Sequence, residues 1–393
     1  MELAERMSRL GTETAFEVLV KARALEAQGR DIVHMEIGEP DFDTPSNIIE
    51  AACRALHSGY THYVPSAGLP EFREAIAEDV SESRGIKVDP NQVVVTPGGK
   101  PIMFFAIMAL AEPGDEVIYP NPGFPIYESV INFVGAKAVP LRLSEEREFS
   151  FDIDELRSKV TSRTKMIIIN SPHNPCGGML SLEDLEATAE IAKEHDIMVL
   201  SDEIYIRLVY EGEFASITRF PGMMERTIIL DSFSKTYAMT GWRLGYGVMP
   251  EALATQVAKL MTNSNSCTAA FAQIAGIEAL KGPQDESYKM AAAFKQRRDV
   301  IVKGLNEIPG IRCLMPKGAF YVFPNVKEVI KRGKFANSKA LADHLLQEAG
   351  VASLTGTSFG EYGEGYLRFS YATSIPTINK ALERIADAVA RLG

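Results

Sequence analysis

Short apolar runs of strand length recur through the middle of the chain, at Val93 to Thr96, Glu116 to Tyr119, Met166 to Ile169, Ile197 to Leu200, Thr227 to Leu230 and Leu244 to Val248. Most are separated by helix-length sequence. The clearest case is SLEDLEATAEIAKEH, Ser181 to His195, in which Leu182, Leu185, Ala189 and Ala192 recur at helical spacing. Ser181 is placed to cap its free amides, with Asp184 three positions on. Strand, helix and strand in that order form a crossover unit. Crossover units covered by helices on both faces build a mostly parallel sheet, so the pattern predicts a large α/β domain.

A second unit follows. The spacing predicts a long connecting helix over Tyr288 to Leu305, a strand at Ala319 to Phe323, a helix from Ser338 to Glu348, a strand around Tyr366 to Tyr371 and a final helix from Pro376 to Leu392. Pro376 suits a first helical turn, with Thr373 or Ser374 as cap. The segment before about Leu56 carries Gly38, Pro40 and Pro45 and reads as more loop than element, free to cross between domains. The chain thus divides into residues 1–56, 57–287 and 288–393.

A length of 393 residues supports two or three domains, and 46% hydrophobic with 24% charged residues supports buried cores. The net charge of −11, with no long basic run, disfavours nucleic acid and anionic membrane surfaces as partners and favours small molecules. Cys53, Cys176, Cys267 and Cys313 form no CxxC pair, which argues against a disulfide framework or a zinc knot and fits a reducing compartment. No secretory signal or twenty-residue apolar span is visible. The expected location is cytoplasmic.

Candidate chemistry gathers at two strand ends. The run Ile197 to Leu200 leads into SDEIY, placing Asp202 just past the strand and Tyr205 three residues on, and Thr227 to Leu230 leads into DSFSK. Open sheets bind ligands outside the carboxyl ends of their strands, so these side chains converge where a ligand would sit. The competing reading of each residue alone is a solvated loop. Lys235 can form a Schiff base with a carbonyl, Asp202 can hold a protonated ring nitrogen, and Arg243 with Ser232 can hold a phosphate. VVVTPGGK turns at Gly98 and Gly99 so that helix-start amides can face an anion, although Lys100 itself is equally readable as solvated. Asn174, on the turn SPHNPCGG, and the Tyr205 hydroxyl can both donate to a phenolate oxygen. His173 and Cys176 lack a third ligand at metal spacing, so no metal is expected. Arg368, within YLRFSY, needs an anion, either a substrate carboxylate or an internal acidic partner. Phe124 either stacks on a cofactor or packs in the core.

Taken together, these motifs resemble the fold-type I pyridoxal phosphate enzymes, and within them the class I and II aminotransferases related to aspartate aminotransferase. The resemblance runs from IGEPDFDTP at Ile37 through YVPSAGLPEFREAIA at Tyr63, PGGK, NSPHNPCGG, SDEIY and DSFSKTYAMTGWRLGY to LRFSYATS. The order of SDEIY and SFSKTYAMTGWR is its most specific part. It implies a seven-stranded, mostly parallel large domain, a smaller α+β domain, and an N-terminal segment that joins the small domain and the active-site entrance. It implies pyridoxal 5'-phosphate as cofactor, with Lys235 as its Schiff-base lysine and the acid and base of the proton shift. Asp202 would pair with the ring nitrogen, Asn174 and Tyr205 with the ring oxygen, and Ser232, Arg243 and the amides around Gly99 and Lys100 with the phosphate. Phe124 would stack on the ring, Arg368 would take the α-carboxylate with Gly38 near it, and Tyr63 would reach the phosphate of a neighbouring subunit, implying a homodimer.

Two departures from the family pattern, His173 for asparagine and Cys176 for threonine, touch no residue assigned to chemistry. Amino acid and 2-oxo acid are the implied substrates in a ping-pong cycle. Phe16, Ile37, Tyr63 and Phe124 as pocket walls point to an apolar or aromatic donor, with 2-oxoglutarate or pyruvate as acceptor. A lyase, decarboxylase or racemase using the same lysine remains an alternative, as does a non-catalytic binding protein.

Overall fold

Seven strands form the central sheet: β1 (Val93–Thr96), β2 (Glu116–Asn121), β3 (Lys137–Arg142), β4 (Thr164–Asn170), β5 (Met198–Asp202), β6 (Thr227–Ser232) and β7 (Gly245–Val248). The computed structural model describes residues 1–392. In space the strands run β1, β7, β6, β5, β4, β2, β3, and every pair is parallel except those made by β7, which lies antiparallel to β1 and β6. The central strands read as continuous apolar runs because both faces are covered. Ile168, Leu200 and Ile228 face a core shared with Ile102 and Val257, while Ile167, Ile169 and Val199 face one shared with Leu185 and Ile191.

The helix Leu182–Glu194 carries the expected capping box, with the Ser181 hydroxyl accepting from the Asp184 amide and the Asp184 carboxylate accepting from the Ser181 amide. The smaller domain is α+β. Its antiparallel sheet places Leu367–Ser370 between Leu354–Thr355 and Tyr321–Val322, and the helices Asp285–Asn306 and Ile375–Ala390 pack around Phe294, Ile301, Phe320, Phe369 and Ile378. Among the described residues, no helix is long and apolar enough to cross a membrane.

Three expectations need correction. The N-terminal segment is not mainly loop: it forms helices at Thr14–Glu26 and Ser46–His57. The first buries only Ala22 and Leu25, so no apolar stripe announces it. The stretch holding Gly38 and Pro40 is irregular, and on either side the segment pairs Val33–His34 with Val351–Ala352 and packs Ser46–His57 on Ala270–Lys281. Strand β3 was absent from the apolar runs because it is an edge strand, half-exposed and interrupted by Pro140. Finally, Asp202 and Ser232 are not past their strands but are the last residues of β5 and β6.

Candidate active site

Beyond the carboxyl ends of β4, β5 and β6 lies a cavity of about 550 Å³ that reaches from the large sheet to the small domain and the N-terminal segment. Lys235 lies on its wall, in the short helix Phe233–Thr236 that continues β6. Its ammonium donates to the Gly38 carbonyl and stands 5.6 Å from the centre of the Phe320 ring. Burial pulls its pKa down to about 8, with Arg368 and Lys100 adding to that effect and Glu39 opposing it. An amine that sheds its proton this easily is suited to nucleophilic and base chemistry.

Asp202 is buried, and burial lifts its carboxyl to about 6. Two donors oppose that lift: the Tyr127 hydroxyl at 2.5 Å from Oδ2 and the Ile204 amide at 3.3 Å from Oδ1. A cationic ring nitrogen in the cavity would complete its pairing. Tyr205 is also buried, and its hydroxyl lies 2.8 Å from that of Tyr321. Burial and this neighbour drive its ionisation well above the usual tyrosine range, so it remains a donor. Asn174 accepts from Arg368 Nη1 at 3.3 Å through Oδ1, and its Nδ2 donates to nothing among the described residues. Phe124 lines the cavity with its ring edge-to-face on Tyr127.

The anion end is built around a glycine turn. Gly98 has φ +91°, and a Cβ there would collide with the Arg243 guanidinium, which donates to the carbonyls of Thr240 (2.8 Å) and Pro97 (3.3 Å). Gly99 is the N-cap of the helix Lys100–Leu110 without a side-chain cap, and it lines the cavity together with Lys100, Ser232 and Arg243. The Ser232 hydroxyl accepts from the Ser234 amide at 3.2 Å. The Lys100 ammonium turns away from this end: it pairs with Glu13 and stands 5.6 Å over the Phe124 ring.

Arg368 is 4% exposed and makes no ion pair among the described residues, so the internal acidic partner considered for it is absent. Besides Asn174, it donates through Nη2 to the Glu36 carbonyl, its Nε has no partner, and its guanidinium lies 4.6 Å from the Tyr321 ring and 4.9 Å from that of Phe359. Gly38 lies against the Tyr321 hydroxyl too closely for any Cβ. Phe16 lines the entrance and is 58% exposed. Tyr63 is the exception: it is 87% exposed, outside the cavity, in a separate surface hollow with Tyr60 and Phe271.

Sequence reasoning missed Tyr127, Tyr321, Glu13 and Ser234. Of these only Ser234 stood inside a quoted motif. The residue set fits pyridoxal phosphate part by part: an amine for the aldehyde, a buried carboxylate for the ring nitrogen, amide and phenol donors for the ring oxygen, and a cradle that a glycine Cβ would fill for the phosphate.

Comparison with known proteins agrees with this geometry. Residues 30–385 match the family model described as aminotransferase class I and II. The chain is 42% identical to aspartate aminotransferase from Pyrococcus horikoshii, over 98% of this chain and 97% of that one. It is 38% identical to aromatic-amino-acid aminotransferase 2 from Thermococcus litoralis, again over 98% and 97%. The solved aspartate aminotransferase from Thermus thermophilus with maleate superposes with a TM-score of 0.93 at 38% identity, covering 99% of this chain and 100% of that one. The chain belongs to the class I and II aminotransferases, the fold-type I pyridoxal phosphate enzymes that include aspartate aminotransferase.

Proposed function

We propose that this aminotransferase moves the amino group of an apolar or aromatic L-amino acid to 2-oxoglutarate or pyruvate, with Lys235 and Asp202 at the centre of its chemistry. When bound, pyridoxal phosphate supplies an aldehyde that condenses with amines and a protonated ring that withdraws electrons from the substrate α-carbon. The Lys235 amine takes the α-proton and holds it at Nζ. Asp202 keeps the ring nitrogen charged, and Tyr127 keeps Asp202 ionised. Asn174 and Tyr205 donate to the ring oxygen, and Phe124 covers the ring. Ser232, Arg243 and the amides at Gly99 and Lys100 hold the phosphate. Arg368 orients the substrate by its α-carboxylate, with the Gly38 backbone beside it.

The observation that carries this reading is that Lys235 and the buried carboxylate of Asp202 line one cavity. The test is a half-reaction without acceptor. One equivalent of 2-oxo acid per chain, with loss of the aldehyde absorbance and no free ammonia, is expected. Ammonia release, decarboxylation or α-carbon inversion without stoichiometric 2-oxo acid would instead support the lyase, decarboxylase or racemase alternatives.

The donor preference rests on Phe16, Ile37 and Phe124 at the cavity wall and on Glu13, whose carboxylate occupies Lys100. Lys100 also favours a second reading, a dicarboxylic donor whose distal carboxylate displaces Glu13. A donor panel decides between them, since a strong preference for aspartate would end the first reading. The exposure of Tyr63 supports a homodimer in which this tyrosine reaches the partner's phosphate. Sedimentation as a monomer at full activity would exclude it.

A further inference from the structure

Behind Arg368 runs a second row of charged groups that the reaction does not account for. His34 sits between two carboxylates, with Nδ1 2.7 Å from Glu36 Oε1 and Nε2 3.0 Å from Glu26 Oε1. A neutral imidazole carries one N–H and can serve one of them as donor, whereas the imidazolium serves both. Burial works against that charge, the two carboxylates favour it, and the outcome is a histidine that holds its proton above the usual range. The groups facing His34 are Glu36, two residues along the chain, and Glu26 of the helix Thr14–Glu26, itself paired with Arg23 at 3.1 Å. Its partner strand Val351–Ala352 brings no charge, and Arg384 of the helix Ile375–Ala390 is engaged with Asp31 at 2.6 Å.

Glu36 is the link to the cavity. It is fully buried; Oε1 rests on His34, Oε2 has no partner, and its main-chain carbonyl accepts from Arg368 Nη2. Arg368 in turn has an unpartnered Nε and, among the described residues, no acidic partner. While His34 is charged, Glu36 is neutralised from behind and the charge on Arg368 is available to a ligand. Once His34 is neutral, Glu36 loses that counter-charge and its field falls on Arg368, which donates to the Glu36 carbonyl and feels the Glu36 carboxylate.

We propose that His34 and Glu36 are positioning residues that set how strongly Arg368 holds a substrate carboxylate, with affinity falling as His34 loses its proton. This rests on the reading of Arg368 as the α-carboxylate anchor. It assigns no contact with substrate to either residue.

The test uses the cofactor-loaded enzyme and two unreactive carboxylates, 3-phenylpropanoate and maleate, titrated from about pH 6 to about pH 9. The readout is the difference between wild type and variant at each pH, which cancels the titration of the cofactor itself. For wild type relative to Glu36→Gln, the dissociation constant is expected to rise by about fivefold across the range. His34→Gln is expected to keep the weaker binding at every pH while kcat at saturation changes less than twofold. Glu36→Gln retains the main-chain carbonyl that holds Arg368, so it remains informative if His34→Gln folds poorly. Arg368→Lys separates the two levels. If Arg368→Lys binds both carboxylates as wild type does, the anchor reading fails. If Arg368→Lys loses binding but Glu36→Gln and His34→Gln follow the wild-type profile, only the present proposal fails.

Discussion

The hydroxyl of Tyr127 donates to Asp202 Oδ2 at 2.5 Å, from a helix that begins five residues after β2. Burial pushes the Asp202 carboxyl up to about 6, and Tyr127 is the strongest influence pulling it back. Tyr127→Phe therefore moves Asp202 toward the neutral acid, which pairs poorly with a ring nitrogen. A hydrogen bond to a charged group contributes about 1.5–3 kcal/mol, so cofactor retention is expected to weaken by about tenfold or more. Equilibrium dialysis of the cofactor measures it. Retention should also fall as pH drops through about 6, earlier in the variant than in wild type.

Tyr321→Phe removes the hydroxyl 2.8 Å from Tyr205. Tyr205 then loses a neighbour that orients its proton toward the ring oxygen. The absorbance transition of the bound cofactor is expected to move to higher pH, because the deprotonated ring oxygen is less well held. A spectrophotometric pH titration reads this without turnover.

Lys235 also bears on stability. Its folded-state value of about 8 lies below the ordinary 10.5, so the unfolded chain binds more protons between those limits and stability rises with pH across them. The cost of burying the ammonium is fully present below pH 8 and gone above 10.5. The cofactor-free Lys235→Met protein is expected to exceed wild type by ~1–2 kcal/mol at pH 7, the difference vanishing at high pH. Urea unfolding of both proteins at several pH values checks it.

Glu13→Gln releases Lys100 from its partner. Because Lys100 is half-exposed, the pair is worth about 1 kcal/mol, which translates to roughly fivefold in kcat/KM for dicarboxylic over neutral donors. The ratio of kcat/KM for aspartate and phenylalanine in both proteins gives the answer.

Arg84, in the helix Pro70–Arg84, holds two buried carboxylates, Glu203 at 3.0 Å and Asp231 at 2.8 Å, next in sequence to Asp202 and Ser232. Arg84→Ala leaves both without their cation. A loss of ~3–5 kcal/mol in unfolding free energy is expected from denaturant titration.

The buried strands were legible because parallel strands covered on both faces are apolar without interruption, as in the MIII of β4. Strand β3 and the helix Thr14–Glu26 were not, since one is a half-exposed edge and the other buries two side chains. Lys235, Asp202 and Arg243 stood in motifs whose spacing carries chemistry. Tyr127, Tyr321 and Glu13 did not: they meet Asp202, Tyr205 and Lys100 across 75, 116 and 87 residues, and only the folded chain brings them together. Tyr63 was legible only through family likeness, and among the described residues it lines a separate hollow and not the cavity.

Borohydride reduction of the cofactor-loaded enzyme, followed by peptide mapping, tests the role of Lys235 most directly. A single cofactor-derived mass on the peptide containing Lys235 is expected, and it should be lost in Lys235→Ala. A stable mass on any other lysine, or none at all with cofactor bound, contradicts it.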